Sequence, residues 1–246
     1  MIVAVLSDIH ANLPALDAVL ASLGTVDAVW HLGDVVGYGA EPDGVVERLR
    51  DIGAVGVKGN HDDAACGGPS IAEFNPTARI AAEWTRAHMS PDTREYLTAL
   101  PPTLAPVPDF TLAHGSPRDP IFEYVLDAAI ARENLGAFQT PYCLIGHTHY
   151  PVAFRERHSG RAARFSMETL DPGGEAIRLD QRRTLVNPGS VGQPRDGNPA
   201  ASYAMLDTDA LTVTWRRVAY DVETARRRIV DAGLPRQLGR RLEFGE

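Results

Sequence analysis

The first sixty residues alternate between short apolar runs and amphipathic segments, and this alternation limits the fold more than any other feature. Residues 2–7 are apolar and suit a buried strand. A helix signal follows: Asn12 can cap it, Pro14 fits its first turn, and Leu16, Val19, Leu20 and Leu23 recur at helical spacing before Gly24. Residues 27–32 read as a second strand, 42–52 as a helix opened by Pro42, and 54–58 as a third strand. Strand–helix–strand order of this kind predicts parallel pairing through crossover helices, and hence an α/β fold.

Further along, 75–89 and 91–99 read as helices capped by Asn75 and Ser90. Prolines at 101, 102, 106 and 108 break the pattern. Short strands are expected at 110–113, 142–145 and 152–155, with a helix at 127–137 between them. The polar stretch 156–182 reads as hairpins or a flexible edge insert. Strands resume at 183–186, 201–206 and 211–219, so the later part is richer in hairpin-type pairing. Residues 221–232 form a last amphipathic helix, followed by a tail expected to be loose. No linker divides the 246 residues, so one domain is expected over 1–246.

Composition removes several function classes. The net charge is −8, which leaves no basic surplus to track a long nucleic acid or coat an anionic membrane. No apolar run approaches the ~20 residues of a membrane span, and Ser7, Asp8 and His10 interrupt the N-terminal run too early for a signal peptide. Cys66 and Cys143 are the only cysteines, too few for a disulfide framework. A cytoplasmic location is the expectation.

The apolar runs all stop on residues of one chemical type. Strand 2–7 leads into Asp8-Ile9-His10, strand 27–32 into Gly33-Asp34, and strand 54–58 into Gly59-Asn60-His61-Asp62. Strand 110–113 leads into His114-Gly115, and strand 142–145 into Gly146-His147-Thr148-His149. Open α/β sheets gather ligands at the carboxyl ends of their strands. If the chain stays extended, Asp8 and His10 project to the same side, as do His147 and His149. Taken singly, each motif has a bland reading. Asp-x-His occurs at ordinary turns, Gly33-Asp34 suits a strand-end turn, and Asp62 or Asp63 can simply cap a following helix. The ordered set is what carries weight.

That ordered set, DIH, GDVVGYG, GNHD, HG and GHTH, resembles the calcineurin-like metallophosphoesterase superfamily, in particular its compact bacterial branch. Asn187-Pro188-Gly189-Ser190 is similar to a turn of that branch. The resemblance implies two packed mixed sheets flanked by helices. It implies that Asp8, His10 and His149 bind a first metal, that Asn60, His114 and His147 bind a second, and that Asp34 bridges them. His61 would act beside the metals as general acid or phosphate contact, with Asp62 orienting it; the compact branch often has Cys where His61 stands. The chemistry of these residue types agrees. Oxygen and imidazole donors without thiolates suit Mn, Fe or Zn. Two divalent ions, two aspartates and one bridging hydroxide leave a net charge of about +1, which favours an anionic phosphoryl group. A metal-bound water can ionise near pH ~7, so hydroxide is the expected nucleophile and Ser116 is not needed as one.

The expected activity is therefore hydrolysis of a small phosphate ester: a phosphodiester, nucleotide or dinucleoside polyphosphate. A protein serine/threonine phosphatase is the alternative, and a non-catalytic scaffold on the same fold is a third reading that the intact motif set disfavours. Arg195, after the Gly-rich turn 189–194, reads either as a phosphate contact or as a surface arginine. Tyr38, between Gly37 and Gly39, either lines the substrate pocket or packs its loop. His31 reads as a core or supporting histidine, His88 and His158 as surface histidines, and Arg226, Arg227 and Arg228 as a solvated helix face.

Overall fold

The computed structural model describes residues 1–159, 162–169 and 176–246, with side chains described outside 157–175. Two six-stranded mixed sheets lie face to face, with helices on their outer faces.

The first sheet is built from β1 (Ile2–Leu6), β2 (Ala28–His31), β3 (Val55–Gly56), β9 (Ile177–Arg178), β11 (Ala201–Asp207) and β12 (Thr212–Val218), in the order β3-β2-β1-β11-β12-β9. β1, β2 and β3 are parallel, and their crossovers are α1 (Leu13–Ser22) and α2 (Pro42–Asp51). The second sheet is built from β4 (Thr103–Val107), β5 (Phe110–Ala113), β6 (Tyr142–Leu144), β7 (Pro151–Ser159), β8 (Ala162–Thr169) and β10 (Thr184–Pro188), in the order β4-β5-β6-β10-β7-β8. Here β5, β6 and β10 are parallel, and hairpin pairs close both edges.

The layers follow from the two-residue period of a strand. On β1, Val3 and Val5 face the second sheet, while Ala4 and Leu6 face α1 and α2. Trp30, Leu32, Phe110, Leu112, Tyr142, Leu144 and Trp215 fill the space between the sheets. Cys143, Ile145, Phe154 and Leu185 turn outward, where Ala131 of α6 (Ala128–Glu133) and Phe138 beyond it cover them. The remaining helices are α3 (Asn60–Cys66), α4 (Pro76–His88), α5 (Pro91–Ala99), α7 (Val222–Asp231) and α8 (Arg236–Phe244), with a 3-10 turn at Pro69–Glu73. α4, α7 and α8 share a separate apolar cluster with Tyr38.

The expected caps form: Asn12, Asn75 and Ser90 accept from the backbone N–H three residues on. Several boundaries differ from the sequence reading. The third strand shrinks to Val55–Gly56, because α3 begins at once with Asn60. β4 forms despite Pro106, which an edge strand tolerates on its unpaired side. The tail is a helix rather than loose: α8 buries Leu238, Gly239 and Leu242. The 156–182 stretch contributes to both sheets, through the β7–β8 hairpin and through β9. Residues 160–161 and 170–175 of that stretch lie outside the described residues, as does the side chain of His158. No helix among the described residues is long and apolar enough to cross a membrane. Both cysteines are free thiols.

His31 is a core residue, as its place within a strand suggests. It is fully buried, and its Nε2 lies 3.0 Å from Tyr96 Oη. Burial pushes its ring down to about 4. The unfolded chain binds a proton near pH 6.5 that the folded one refuses, so this contribution to stability is present above that pH and is lost as pH falls towards 4. His31→Gln is expected to remove a pH-dependent component on the order of 3 kcal/mol. Urea midpoints at pH 4.5 and 7 would check this; equal pH dependence in both proteins would contradict it.

Candidate metal centre

Both sheets deliver side chains to one place. The first sheet supplies Asp8 and His10 after β1, Asp34 after β2, and Asn60 and His61 at the start of α3. The second supplies His114 after β5, and His147 and His149 after β6. All eight are buried. Two groups of these side chains could each hold a metal ion: Asp8, His10, Asp34 and His149, and Asp34, His114 and His147, with ligand atoms within 4.8 Å of one another. Asp34 belongs to both groups. Asn60 Oδ1 joins the second, 3.1 Å from His114 Nε2.

The route by which the pairs converge differs from the expected one. Asp8, His10, Asp34, His147 and His149 all have positive φ, between 50° and 67°. The chain does not stay extended through Asp8-x-His10 or His147-x-His149; it curls through the left-handed region, which costs about 1–2 kcal/mol per non-glycine residue. Hydrogen bonds from the turn after β10 hold the curled segment. Ser190 Oγ donates to Asp8 O (2.8 Å), Val191 N to Ser7 O and Gly192 N to Asp8 O. Asn187 Nδ2 donates to Gly146 O (2.6 Å) and Thr148 Oγ1 (3.0 Å).

The tautomers decide what the imidazoles can bind. His10 Nδ1 lies 3.2 Å from Val36 O, and His149 Nδ1 2.5 Å from Gln193 O. A carbonyl only accepts, so both Nδ1 atoms carry the proton and both Nε2 atoms present lone pairs. These Nε2 atoms face each other at 3.1 Å. In the second group, His114 Nδ1 donates to Leu32 O (2.8 Å) and His147 Nε2 to Phe122 O (3.1 Å). That leaves His114 Nε2 and His147 Nδ1 facing each other at 3.0 Å. Two facing lone pairs repel unless a proton or a metal ion sits between or beside them. The carboxylates make the same demand. Asp8 Oδ1 and Asp34 Oδ2 are buried with no hydrogen-bond partner, although buried polar atoms are nearly always paired. Their other oxygens are satisfied: Asp8 Oδ2 accepts from Ser7 Oγ (2.6 Å), and Asp34 Oδ1 from His61 N (2.8 Å). Asp34 Oδ2 lies 3.4 Å from His114 Nε2 and 3.7 Å from His10 Nε2, between the two groups. This donor set fits metal ions. Burial opposes a charge on His114, yet Asp34 and Asp8 push its ring up to about 9, so without a metal ion a proton occupies Nε2 and bridges to His147 Nδ1; a divalent ion drawn in by the same field would take that proton's place.

His61 sits beside the cluster, its ring between Tyr38 (4.3 Å) and Phe74 (4.4 Å). Burial pushes it down to about 4, so it is neutral at neutral pH. Asp62 does not reach the His61 ring. Its oxygens accept from Gly59 N (2.9 Å) and Val36 N (3.1 Å), tying the start of α3 to the Asp34 loop. Any orientation of His61 by Asp62 therefore passes through the backbone.

Arg195 is half-buried and points at the site. Its Nη2 donates to Gln193 Oε1 (3.3 Å), its Nε is buried without an acceptor, and no carboxylate pairs with it among the described residues. Burial raises the phenols of Tyr38 and Tyr124, and the neighbouring Arg195 guanidinium opposes both shifts. Tyr38 also packs against the His10 ring, tilted, with centroids 4.7 Å apart. Ser116 is engaged with Glu123 Oε2 (2.6 Å) and is not among the clustered side chains. His88 binds Trp84 O (2.7 Å) away from the site. Arg226 pairs with Glu223 and Glu243, and Arg228 with Glu41.

Sequence reasoning missed Tyr124, which stacks on His147 at 3.7 Å, and the supporting carbonyls of Leu32, Val36, Phe122 and Gln193. No side-chain signal marks a carbonyl. Gly59 has a steric reason that composition does not reveal: a Cβ there would lie 2.1 Å from Asp34 Oδ1 and 2.3 Å from Asp34 N. Gly59→Ala is expected to displace Asp34 and weaken metal binding at least about tenfold, on the scale of lost supporting contacts. Metal titration would read this, and wild-type affinity would contradict it.

Residues 1–211 match the model of the calcineurin-like phosphoesterase superfamily domain. The chain belongs to this superfamily. The superfamily is metal-dependent and hydrolyses phosphate esters, in accord with the buried His and Asp groups described above. The chain is 36% identical to the uncharacterized protein MJ0912 of Methanocaldococcus jannaschii, over 99% of this chain and 98% of that one. It is 31% identical to phosphodiesterase YfcE of Escherichia coli, over 84% of this chain and 88% of that one. A metallophosphoesterase structure from Sphaerobacter thermophilus superposes over 100% of both chains with a TM-score of 0.89 and 43% identity. The two-sheet architecture of this metallophosphoesterase relative is the one described above.

Proposed function

We propose that this chain is a two-metal phosphoesterase acting on small phosphodiesters, nucleotides or dinucleoside polyphosphates. The observation that supports it most is the convergence of facing imidazole nitrogens on either side of Asp34, whose buried Oδ2 accepts no hydrogen bond. In this reading Asp8, His10 and His149 hold one ion, Asn60, His114 and His147 the other, and Asp34 bridges. Manganese, iron or zinc ions held there would supply an activated water and Lewis acidity towards phosphoryl oxygens.

The chain's own residues do the rest. The Val36, Leu32, Phe122 and Gln193 carbonyls fix the tautomers that aim the lone pairs inward. Arg195, which pairs with no carboxylate among the described residues, offers its charge to the phosphoryl oxygens, and Tyr38 braces it. Neutral His61 donates a hydrogen bond from its ring N–H to the phosphoryl group or leaving oxygen and stabilises the negative charge that develops there, while the leaving oxygen takes its proton from water. Similarity to a phosphodiesterase supports the diester reading. The two free thiols support action in a reducing compartment such as the cytoplasm, and the cluster between the sheets, which draws residues from Val3 to Trp215, supports one domain across 1–246.

The test is one hydrolysis panel: a phosphomonoester, a phosphodiester, a dinucleoside tetraphosphate and a phosphopeptide, each with Mn, Zn or Fe, and His61→Ala as control. Diester cleavage lost in the control is the expected result. Preference for the phosphopeptide would favour a protein phosphatase. No turnover with two metals bound would favour a scaffold.

A further inference from the structure

A cleft of about 640 Å³ opens from the metal cluster, starting at Asn60, His61 and His147. Its walls carry the rings of Phe74, Phe122 and Tyr124, the last 44% exposed, together with the carboxylates of Glu73 and Asp119. No lysine or arginine among the described residues lines it. Arg195 reaches Tyr38 and Tyr124, where those two tyrosines border the cleft, but is not itself among the walls. The site is thus polarised. Arg195 lies on the side of His61 and His149, where metal ions would add positive charge, and the cleft beyond is aromatic and acidic.

We infer that this cleft is a subsite for an uncharged nucleoside, so that the substrate is a nucleotide ester with a single phosphate at the metals. The inference rests on the phosphoesterase reading above and narrows it. A second phosphate placed in the cleft would meet the carboxylates of Glu73 and Asp119 and no lysine or arginine among the described walls, a like-charge arrangement that costs affinity. A planar base can stack on the exposed face of Tyr124 or on Phe74, and base–aromatic stacking is sequence-tolerant and substantial. Ribose hydroxyls and exocyclic amines are donors, which is what Glu73 and Asp119 can accept. A dinucleoside polyphosphate, whose leaving group is itself a polyanion, fits this cleft poorly.

The test uses the metal-loaded full chain hydrolysing bis(4-nitrophenyl) phosphate. Adenosine 5′-monophosphate, ribose 5-phosphate and phosphocholine, each with one phosphate, serve as competitive inhibitors. Adenosine 5′-monophosphate is expected to bind about tenfold or more tightly than the other two, a ratio of the size stacking provides. Tyr124→Ala and Phe74→Ala should collapse that ratio towards one, whatever they do to kcat. Glu73→Arg, on an exposed turn away from the ligands, should strengthen adenosine diphosphate relative to the monophosphate several-fold. Equal inhibition by the three monophosphates in the wild type would overturn the subsite. Tightest binding by phosphocholine would show that the cleft selects a cation instead. Failure to hydrolyse any ester would sink the phosphoesterase reading separately; calorimetric binding of adenosine 5′-monophosphate against ribose 5-phosphate would then still decide the subsite.

Discussion

Asp34→Ala is expected to abolish hydrolysis and leave less than one metal ion per chain. Asp34 is the side chain that belongs to both ligand groups, and its Oδ2 lies within 3.7 Å of imidazole nitrogens from each. Its removal also frees the His61 N–H, which Oδ1 accepts at 2.8 Å, so the start of α3 loses an anchor. Three neutral or singly charged donors on each side would then hold a divalent ion without the shared carboxylate. Metal analysis of the purified variant by mass spectrometry, alongside thermal unfolding, separates this from misfolding. Two ions per chain in a folded variant would remove Asp34 from the bridging position.

His61→Ala is expected to behave oppositely: it should keep both metals and lose about 10²–10⁴-fold in turnover. The ring donates to no ligand. It packs between Tyr38 and Phe74, and its Nδ1 is buried without a partner. The side chain therefore contributes little to holding ions and much to what lies in front of them. Because burial keeps the free ring neutral, the loss should fall mainly on kcat rather than on KM. A metal-replete variant with wild-type turnover would refute the assignment.

The two expectations rest on residues that stood out in the chain before any coordinates, and the reason is physical. Parallel strands joined by crossover helices put their carboxyl ends on one rim, so polar residues that end apolar runs are brought together by topology alone. Asp8, Asp34, Asn60, His114 and His147 each follow a run that is a strand or leads into α3. What could not be read was how the chain turns there. An extended Asp8-x-His10 would have sufficed to aim both side chains, but the backbone takes positive φ at both, and hydrogen bonds from residues almost 200 positions away hold it. Propensity is silent on such strain, because tertiary contacts pay for it. α8 was missed for a related reason. Its polar face outnumbers its buried Leu238 and Leu242, and only packing against α7 and α4 makes it a helix. The existence of two sheets, rather than one, came from resemblance; periodicity alone does not say which face of β1 meets a second sheet.

The histidines' supports have one more consequence. His10, His114, His147 and His149 are all steered by main-chain carbonyls, those of Val36, Leu32, Phe122 and Gln193. A side-chain acceptor can be erased by a point mutation; a carbonyl survives every substitution that leaves the backbone path intact. The electronic setting of the ions is thereby inherited with the fold and insulated from sequence drift. Cleft residues such as Glu73, Phe74 and Tyr124 have no such insurance, so variation can retarget the ester while the engine that cleaves it stays the same.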